Sequence, residues 1–288
     1  MITSVKEILT KAKECGYAIG AFNTVNLETT QAILQAAKEL RAPVIIQVTE
    51  KTMEYAGGRG IFQLIKNQAE FYAPEIPVGI HFDHGTSFEI VQRAIEIGFT
   101  SIMYDGSRKE YVDNNAMTKK IVDYCHEHGV TIQAELGSVP YLGEGYEISN
   151  DDWDKMMTNP AQAAEFVYAT GIDTLAVAIG NAHGFVKERS MPDYERLSAI
   201  QTNVSIPLIL HGASDWDATQ VDEAIKRGIS CFNVDTSLRT SFTNKIIQAV
   251  NNDEMASFDI TKFLGGARGA VKESVKKKIE IFGSTGKA

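Results

Sequence analysis

Eight times along this chain a short apolar run, rich in Val, Ile and Ala, gives way to a longer amphipathic stretch. No other feature constrains the fold as much. The runs read as strands over Tyr17–Phe22, Val44–Val48, Val78–Phe82, Ser101–Tyr104, Thr131–Glu135, Thr174–Ile179, Pro207–Leu210 and Ser230–Val234. Apolar residues at helical spacing predict helices over Leu27–Leu40, Phe88–Ile97, Asn115–Glu127, Pro160–Thr170, Asp193–Ile200, Ala218–Lys226 and Ser237–Val250. Strand–helix alternation implies a parallel sheet, and nearly all-apolar strands fit burial on both faces. Eight units in 288 residues match a closed α/β architecture, the (β/α)8 or TIM barrel. A doubly wound open sheet is disfavoured, because no GxGxxG follows any strand and no second domain remains. One domain over residues 1–288 is expected, with a C-terminal helix at about 265–282. Gly98, Gly129, Gly171 and Gly228 stand where helices must stop sharply before the next strand.

Composition narrows the function. A net charge of −9 and no basic stripe argue against nucleic acid. A small phosphorylated ligand stays compatible, since a few backbone N–H groups and one lysine can override the global field. No apolar run is long enough to cross a bilayer, and the amphipathic N-terminus is not a signal peptide. Three cysteines without a CxxC pair suit a reducing compartment, so a cytoplasmic location is expected.

A barrel carries its chemistry where strands end. Here those ends hold Asn23, Thr49-Glu50, Asp83-His84, Asp105, Glu135, Asn181-Ala182-His183, His211 and Asn233-Val234-Asp235-Thr236. Starts of strands show no such bias. A lone histidine at a strand end is an ordinary buried or capping residue. Three of them, at the ends of strands 3, 6 and 7, point to a divalent ion, and three imidazoles with one open position are a catalytic zinc pattern. Glu135 and Asp105 are the carboxylates placed to orient an imidazole or to join it as a ligand. His81 shares the face of Asp83 by period-2 alternation and reads as packing; His126 and His128 read as surface residues. Gly212-Ala213-Ser214 and the start of the last barrel helix at Thr236 can bind phosphate, and Lys187 can add charge. No lysine falls inside a predicted strand, which argues against imine chemistry and for a metal.

The stretches AFNTVNLET, HFDHGTSFE, GFTSIMYDGS, QAELGS, LAVAIGNAHGFVK, PLILHGAS, NVDTSLR and IEIFGSTGKA resemble the class II fructose-bisphosphate and tagatose-bisphosphate aldolases over nearly the full length. The resemblance implies a zinc-dependent aldehyde-lyase of carbohydrate metabolism. It would reversibly cleave a ketose 1,6-bisphosphate to dihydroxyacetone phosphate and an aldehyde through a zinc-stabilised enediolate. By the same resemblance His84, His183 and His211 hold zinc, and Glu135 approaches the metal when substrate is absent. Asp83 exchanges a proton with the ketose C4 hydroxyl, and Asn233 bonds the enediolate. Asn23, Gly184, Lys187, Gly212, Ser214 and Thr236 line the substrate and C1-phosphate site, with a monovalent cation, Na+ or K+, nearby. Asp235 bears on hydroxyl stereochemistry. Arg239 reaches the distal phosphate, in a homodimer or homotetramer.

Four stretches depart from that pattern. The loop after strand 5 reads Ser138-Val139-Pro140-Tyr141-Leu142-Gly143-Glu144 where a glycine pair is usual, and leaves Glu144 as candidate for the mobile carboxylate. Asn181-Ala182 replace small hydroxyl residues, and Asp215-Trp216 follow Ser214 where glycine is usual. Thr261 stands where an arginine usually meets the distal phosphate, beside Lys262. These changes surround the substrate rather than the metal. Two alternatives therefore stay open: an aldolase for another phosphorylated ketose or keto-acid lacking the distal phosphate, and a non-catalytic metal- or ligand-binding relative. A metal-dependent hydrolase is a weaker third, because such sites commonly use a strand lysine.

Overall fold

The computed structural model describes residues 1–141, 150–184, 191–252 and 259–288. Eight parallel strands close into a barrel in chain order: β1 (Ile19–Asn23), β2 (Val44–Thr49), β3 (Val78–Gly85), β4 (Ser101–Tyr104), β5 (Thr131–Leu136), β6 (Thr174–Val177), β7 (Leu208–Leu210) and β8 (Ile229–Val234). β1 pairs with β8 through Ile19–Phe22 and Cys231–Val234, which removes both sheet edges. Among the described residues no helix is long and apolar enough to cross a membrane.

The helices are α1 (Val5–Cys15), α2 (Leu27–Glu39), α3 (Glu50–Ala56), α4 (Gly58–Tyr72), α5 (Phe88–Ile97), α6 (Tyr111–Glu127), α7 (Asn150–Met156), α8 (Pro160–Thr170), α9 (Tyr194–Asn203), α10 (Ala218–Lys226), α11 (Thr236–Asn251) and α12 (Ile260–Ile281). Several start at good caps: Asn26, Ser87, Asn159, Asp193 and Asp217 each accept a backbone N–H from the first turn. The four glycines expected to stop helices all have positive φ. Two departures from the sequence reading stand out. The β2–β3 crossover carries α3 and α4, which the helical reading passed over. Three glycines, Gly57, Gly58 and Gly60, sit between or within them and weaken the local helix signal. The last helix begins at Ile260, because Asp259 caps it through the N–H groups of Thr261 and Lys262.

Inside the barrel, period-2 alternation sorts the residues into layers. The lower layers are apolar, including Ile19, Ala21, Ile45, Ala176, Ile209 and Cys231. They pack against Val5, Ile8, Leu9 and Ala12 of α1, which plugs the bottom of the barrel. Gly79 leaves room for that plug: a Cβ there would lie 2.7 Å from Val5 Cγ2. The upper layers are polar and end in the mouth, so the core outside the strands carries the hydrophobic burial while the interior is free to carry chemistry.

Asp173 ties the plug to the barrel. Its carboxylate accepts from Lys6 Nζ of α1 at 2.7 Å, from His126 Nε2 of α6 at 3.0 Å and from the Ile132 N–H of β5 at 2.9 Å. Burial opposes its ionisation, but the Lys6, Ile132 and His126 hydrogen bonds outweigh that and hold its pKa below the ordinary carboxylate value. A depressed pKa stabilises the fold above the unfolded value, near 4, and the contribution fades only as pH falls through the folded value. Asp173→Asn should therefore cost about 2 kcal/mol at pH 7, a Tm drop of roughly 4–8 °C. The difference from wild type should begin to shrink below about pH 4, where the unfolded carboxylate starts to take up its proton, and vanish as pH falls through the lower, folded value. Thermal unfolding followed from pH 7 down to about pH 2 checks it; a gap that stays constant over that range would refute the ionic account.

Candidate active site

The mouth of the barrel is a cleft of about 260 Å³ lined by Asn23, Thr49, Asp83, His84, Tyr141, His183, Gly184, Gly212, Ser214, Asn233, Asp235, Thr236 and Arg239. Asp83 and His84 arrive on β3, whose pairing with β4 slips between Phe82 and Gly85. His84 sits at that slip with φ 54°, a left-handed conformation that few side-chain-bearing residues adopt. The strain is of order 1 kcal/mol and turns the ring into the mouth.

One reactive nitrogen from each of His84, His183 and His211 lies within 4.8 Å of the others. Their hydrogen bonds set which nitrogens face inward. His84 Nδ1 is 2.9 Å from Asp105 Oδ2, and Asp105 Oδ1 accepts in turn from Ser107 N–H and Oγ. Nδ1 therefore carries the proton and Nε2 is left as a lone pair. His211 Nε2 donates to Gln133 Oε1 at 3.1 Å, which leaves Nδ1 as its lone pair. That Nδ1 lies 3.2 Å from Glu135 Oε2, and neither atom has a hydrogen-bond partner among the described residues. Two buried acceptors facing each other repel unless a proton or a metal cation lies with them. This orphaned pair is the observation that fits the site to a metal ion. The donor set agrees, since zinc takes imidazoles at about 2.0–2.1 Å and one carboxylate readily joins them.

Asp83 is 3% exposed and its carboxylate is held at both oxygens. Asn23 Nδ2 donates to Oδ2 at 3.1 Å, and Asn233 Nδ2 donates to Oδ1 at 3.3 Å. Asn23 is fixed from behind by Gln47 Nε2, at 2.7 Å. Oδ1 lies 3.9 Å from His84 Nε2. Burial works against the charge on Asp83, but the three nearby imidazoles, His84, His211 and His81, and the Asn23 amide lower its pKa overall. It stands ready as a base at neutral pH. Burial likewise opposes protonation of His84, but Asp83, Asp105 and Glu135 raise its pKa to about 9 in the metal-free site. A metal ion must therefore displace the Nε2 proton to use that lone pair. His183, with no hydrogen-bonded carboxylate among the described residues, is pushed down to about 3 by burial and by its two neighbouring imidazoles.

The loops after β6 and β7 are locked together. A Cβ on Gly212 would lie 2.4 Å from the Ala182 backbone, and Gly212 has φ 61°, so only glycine fits there. Asn181 explains its departure from the usual hydroxyl: its Oδ1 accepts from Ile179 N–H, and its Nδ2 donates to Val177 and His211 carbonyls. At the start of α11, Asp235 makes no cap bond to the first-turn amides. Its carboxylate pairs with Arg239 instead, and its pKa is raised chiefly by burial. The first turn of α11 thus has no side-chain cap, and its first residue, Thr236, lines the cleft.

Most residues expected at the rim converge here. Asn23, Asp83, His84, His183, Gly184, Gly212, Ser214, Asn233, Asp235, Thr236 and Arg239 line one cleft, with Asp105 and Glu135 directly behind the imidazoles. Glu144 and Lys187 lie outside the described residues. Three contributors went unread in the sequence. Gln133 and Gln47 could have been found, because period-2 alternation puts them on the faces of Glu135 and Thr49. Tyr141 carried no such signal. His81 is buried, with Nδ1 on Ser101 Oγ at 2.8 Å, in keeping with packing.

A closed parallel barrel with three imidazoles and a flanking carboxylate at its C-terminal mouth defines a metal-type lyase or hydrolase site. The comparisons resolve the class. The family described as "Fructose-bisphosphate aldolase class-II" matches residues 3–287. A fructose-bisphosphate aldolase of Thermus caldophilus is 40% identical over 100% of both chains. One of Staphylococcus aureus (strain Mu50) is 40% identical over 100% of this chain and 99% of its own. Among solved structures, the YdjI aldolase of Escherichia coli K12 superposes with a TM-score of 0.86 at 33% identity, covering 100% of each chain. The chain belongs to the class II fructose-bisphosphate aldolase family, and it is an enzyme of the lyase class.

Proposed function

We propose that this enzyme reversibly cleaves a ketose 1,6-bisphosphate, of the fructose or tagatose type, to dihydroxyacetone phosphate and an aldehyde. The observation that carries the reading is the joint placement of three imidazole nitrogens within 4.8 Å and the ionised Asp83 beside His84. His84, His183 and His211 would hold one zinc ion, with Glu135 able to join them. When bound, the metal supplies Lewis-acid polarisation of the substrate's carbonyl.

The chain's own groups do the rest. Asp83 takes the proton of the C4 hydroxyl as the carbon–carbon bond breaks, and returns it in condensation. Both its oxygens already accept an amide hydrogen bond, so the carboxylate is held in one orientation before substrate arrives. Asn233 has a second role as donor to the charge that develops on cleavage. Gly184, Gly212, Ser214 and Thr236 surround the C1 phosphate, helped by the uncapped amides of α11. A monovalent cation beside them and Lys187 would balance the charge. Arg239 would leave Asp235 to meet the distal phosphate. A cytoplasmic homo-oligomer is the expected setting.

One observation favours a second reading, a substrate without the distal phosphate. Thr261 replaces the usual arginine, and here both its N–H and its hydroxyl are committed to Asp259 at the exposed start of α12. The test is condensation of dihydroxyacetone phosphate with a panel of aldehydes, phosphorylated and not, with products identified by mass. Glyceraldehyde 3-phosphate should be the best acceptor. Failure of every phosphorylated aldehyde while an unphosphorylated one reacts would transfer the assignment to the second reading.

A further inference from the structure

The three imidazoles of the site are not held alike. A metal-ligating histidine as a rule donates its other ring N–H to an oxygen, which fixes the ring and its tautomer. His84 has Asp105 for this, and His211 has Gln133. The His183 ring makes no hydrogen bond to a described residue. It lies flat against Tyr141 instead, with ring centroids 4.2 Å apart and planes 12° from parallel. Among the described residues no other ring pair in the mouth is stacked: His183 meets the His84 and His211 rings at 67° and 56°.

The backbone brings the two rings into register. His183 N–H donates to the Pro140 carbonyl at 2.8 Å, and Tyr141 and His183 form an isolated parallel bridge. Pro140 fixes its own φ, so the residue that follows leaves in a restricted direction. The segment that covers the ring is thus tied to the residue it covers.

We propose that Tyr141 is the positioning residue for His183: its aromatic face holds the imidazole in the orientation that brings its nitrogen to those of His84 and His211. The inference rests on the reading of the three histidines as a metal site. It assigns Tyr141 no proton transfer, and the stack rather than the hydroxyl does the positioning.

The test compares zinc affinity of the full chain, by competition with a chromophoric chelator, in wild type, Tyr141→Phe, Tyr141→Leu and Tyr141→Ala. Tyr141 is 60% exposed, so truncation opens no core cavity and thermal unfolding of the metal-free proteins should be unchanged. Y141A and Y141L should bind zinc about 10–100-fold more weakly, the usual loss when an outer partner of a ligating histidine is removed. Y141F should match wild type. The visible absorption of the cobalt(II)-loaded proteins gives a second readout: Y141F should reproduce the wild-type spectrum and Y141A should depart from it. Wild-type zinc affinity in Y141A would overturn the proposal, and so would a loss in Y141F as large as in Y141A. Wild-type protein that takes up no zinc at all would sink the metal-site reading beneath it, a distinguishable failure.

Discussion

Asp83→Ala will lower kcat for aldol cleavage by about 10²–10⁴-fold, the range a positioned general base contributes, and the protein will keep its metal. The two halves of that result follow from geometry. Asp83 Oδ1 is 3.9 Å from His84 Nε2 and shares the cleft with it, yet no imidazole depends on Asp83 for its orientation. His84 takes that from Asp105, and His211 from Gln133. The amides of Asn23 and Asn233 lose their acceptor in the variant. Two such losses cost about 1–3 kcal/mol each where water does not enter, so the fold should survive with a lower Tm. Metal content measured beside turnover separates the outcomes. Unchanged turnover would remove Asp83 from the proton-transfer role, and loss of metal would mean it belongs to the ligand set.

His211→Ala should act on the metal itself. The side chain is fully buried, and its two nitrogens face Gln133 on one side and Glu135 on the other. Truncation removes one ligand and leaves two buried acceptors without a partner. Zinc binding to a protein site is worth about 10–16 kcal/mol, or roughly 3 kcal/mol per ligand, so affinity should fall by at least about 10²-fold. Turnover at limiting zinc should fall with it. Excess zinc should restore part of it, because His84, His183 and Glu135 remain. Equilibrium dialysis against zinc checks the first part, and activity across added zinc the second. Undiminished zinc uptake in the variant would place the metal elsewhere.

The barrel was legible because its signal is periodic. Each strand is a short apolar run, each helix an amphipathic one, and chain order alone then fixes the neighbours of a parallel barrel. The rim was legible for the same reason: once strand ends are known, the polar residues there must share a mouth. What escaped depends on neighbours distant in sequence. α1 could be read as amphipathic, but that its apolar face plugs the barrel bottom depends on Gly79 making room beside Ile45. The left-handed φ of His84 comes from a register slip between β3 and β4 that no residue type announces. Asn181 looked like a mismatch to the family and is a stitch between two loops. Tyr141 lies beyond the end of β5, where no period applies.

The central claim is that three imidazoles far apart in sequence bind one functional metal ion. Its most direct test is a zinc titration of metal-stripped protein, with cleavage of fructose 1,6-bisphosphate measured at each addition. Activity should start near zero, rise in proportion to zinc and level off at about one ion per chain, the stoichiometry of a single three-histidine site. Stripped protein that cleaves at the full rate, or activity indifferent to added zinc, would contradict it.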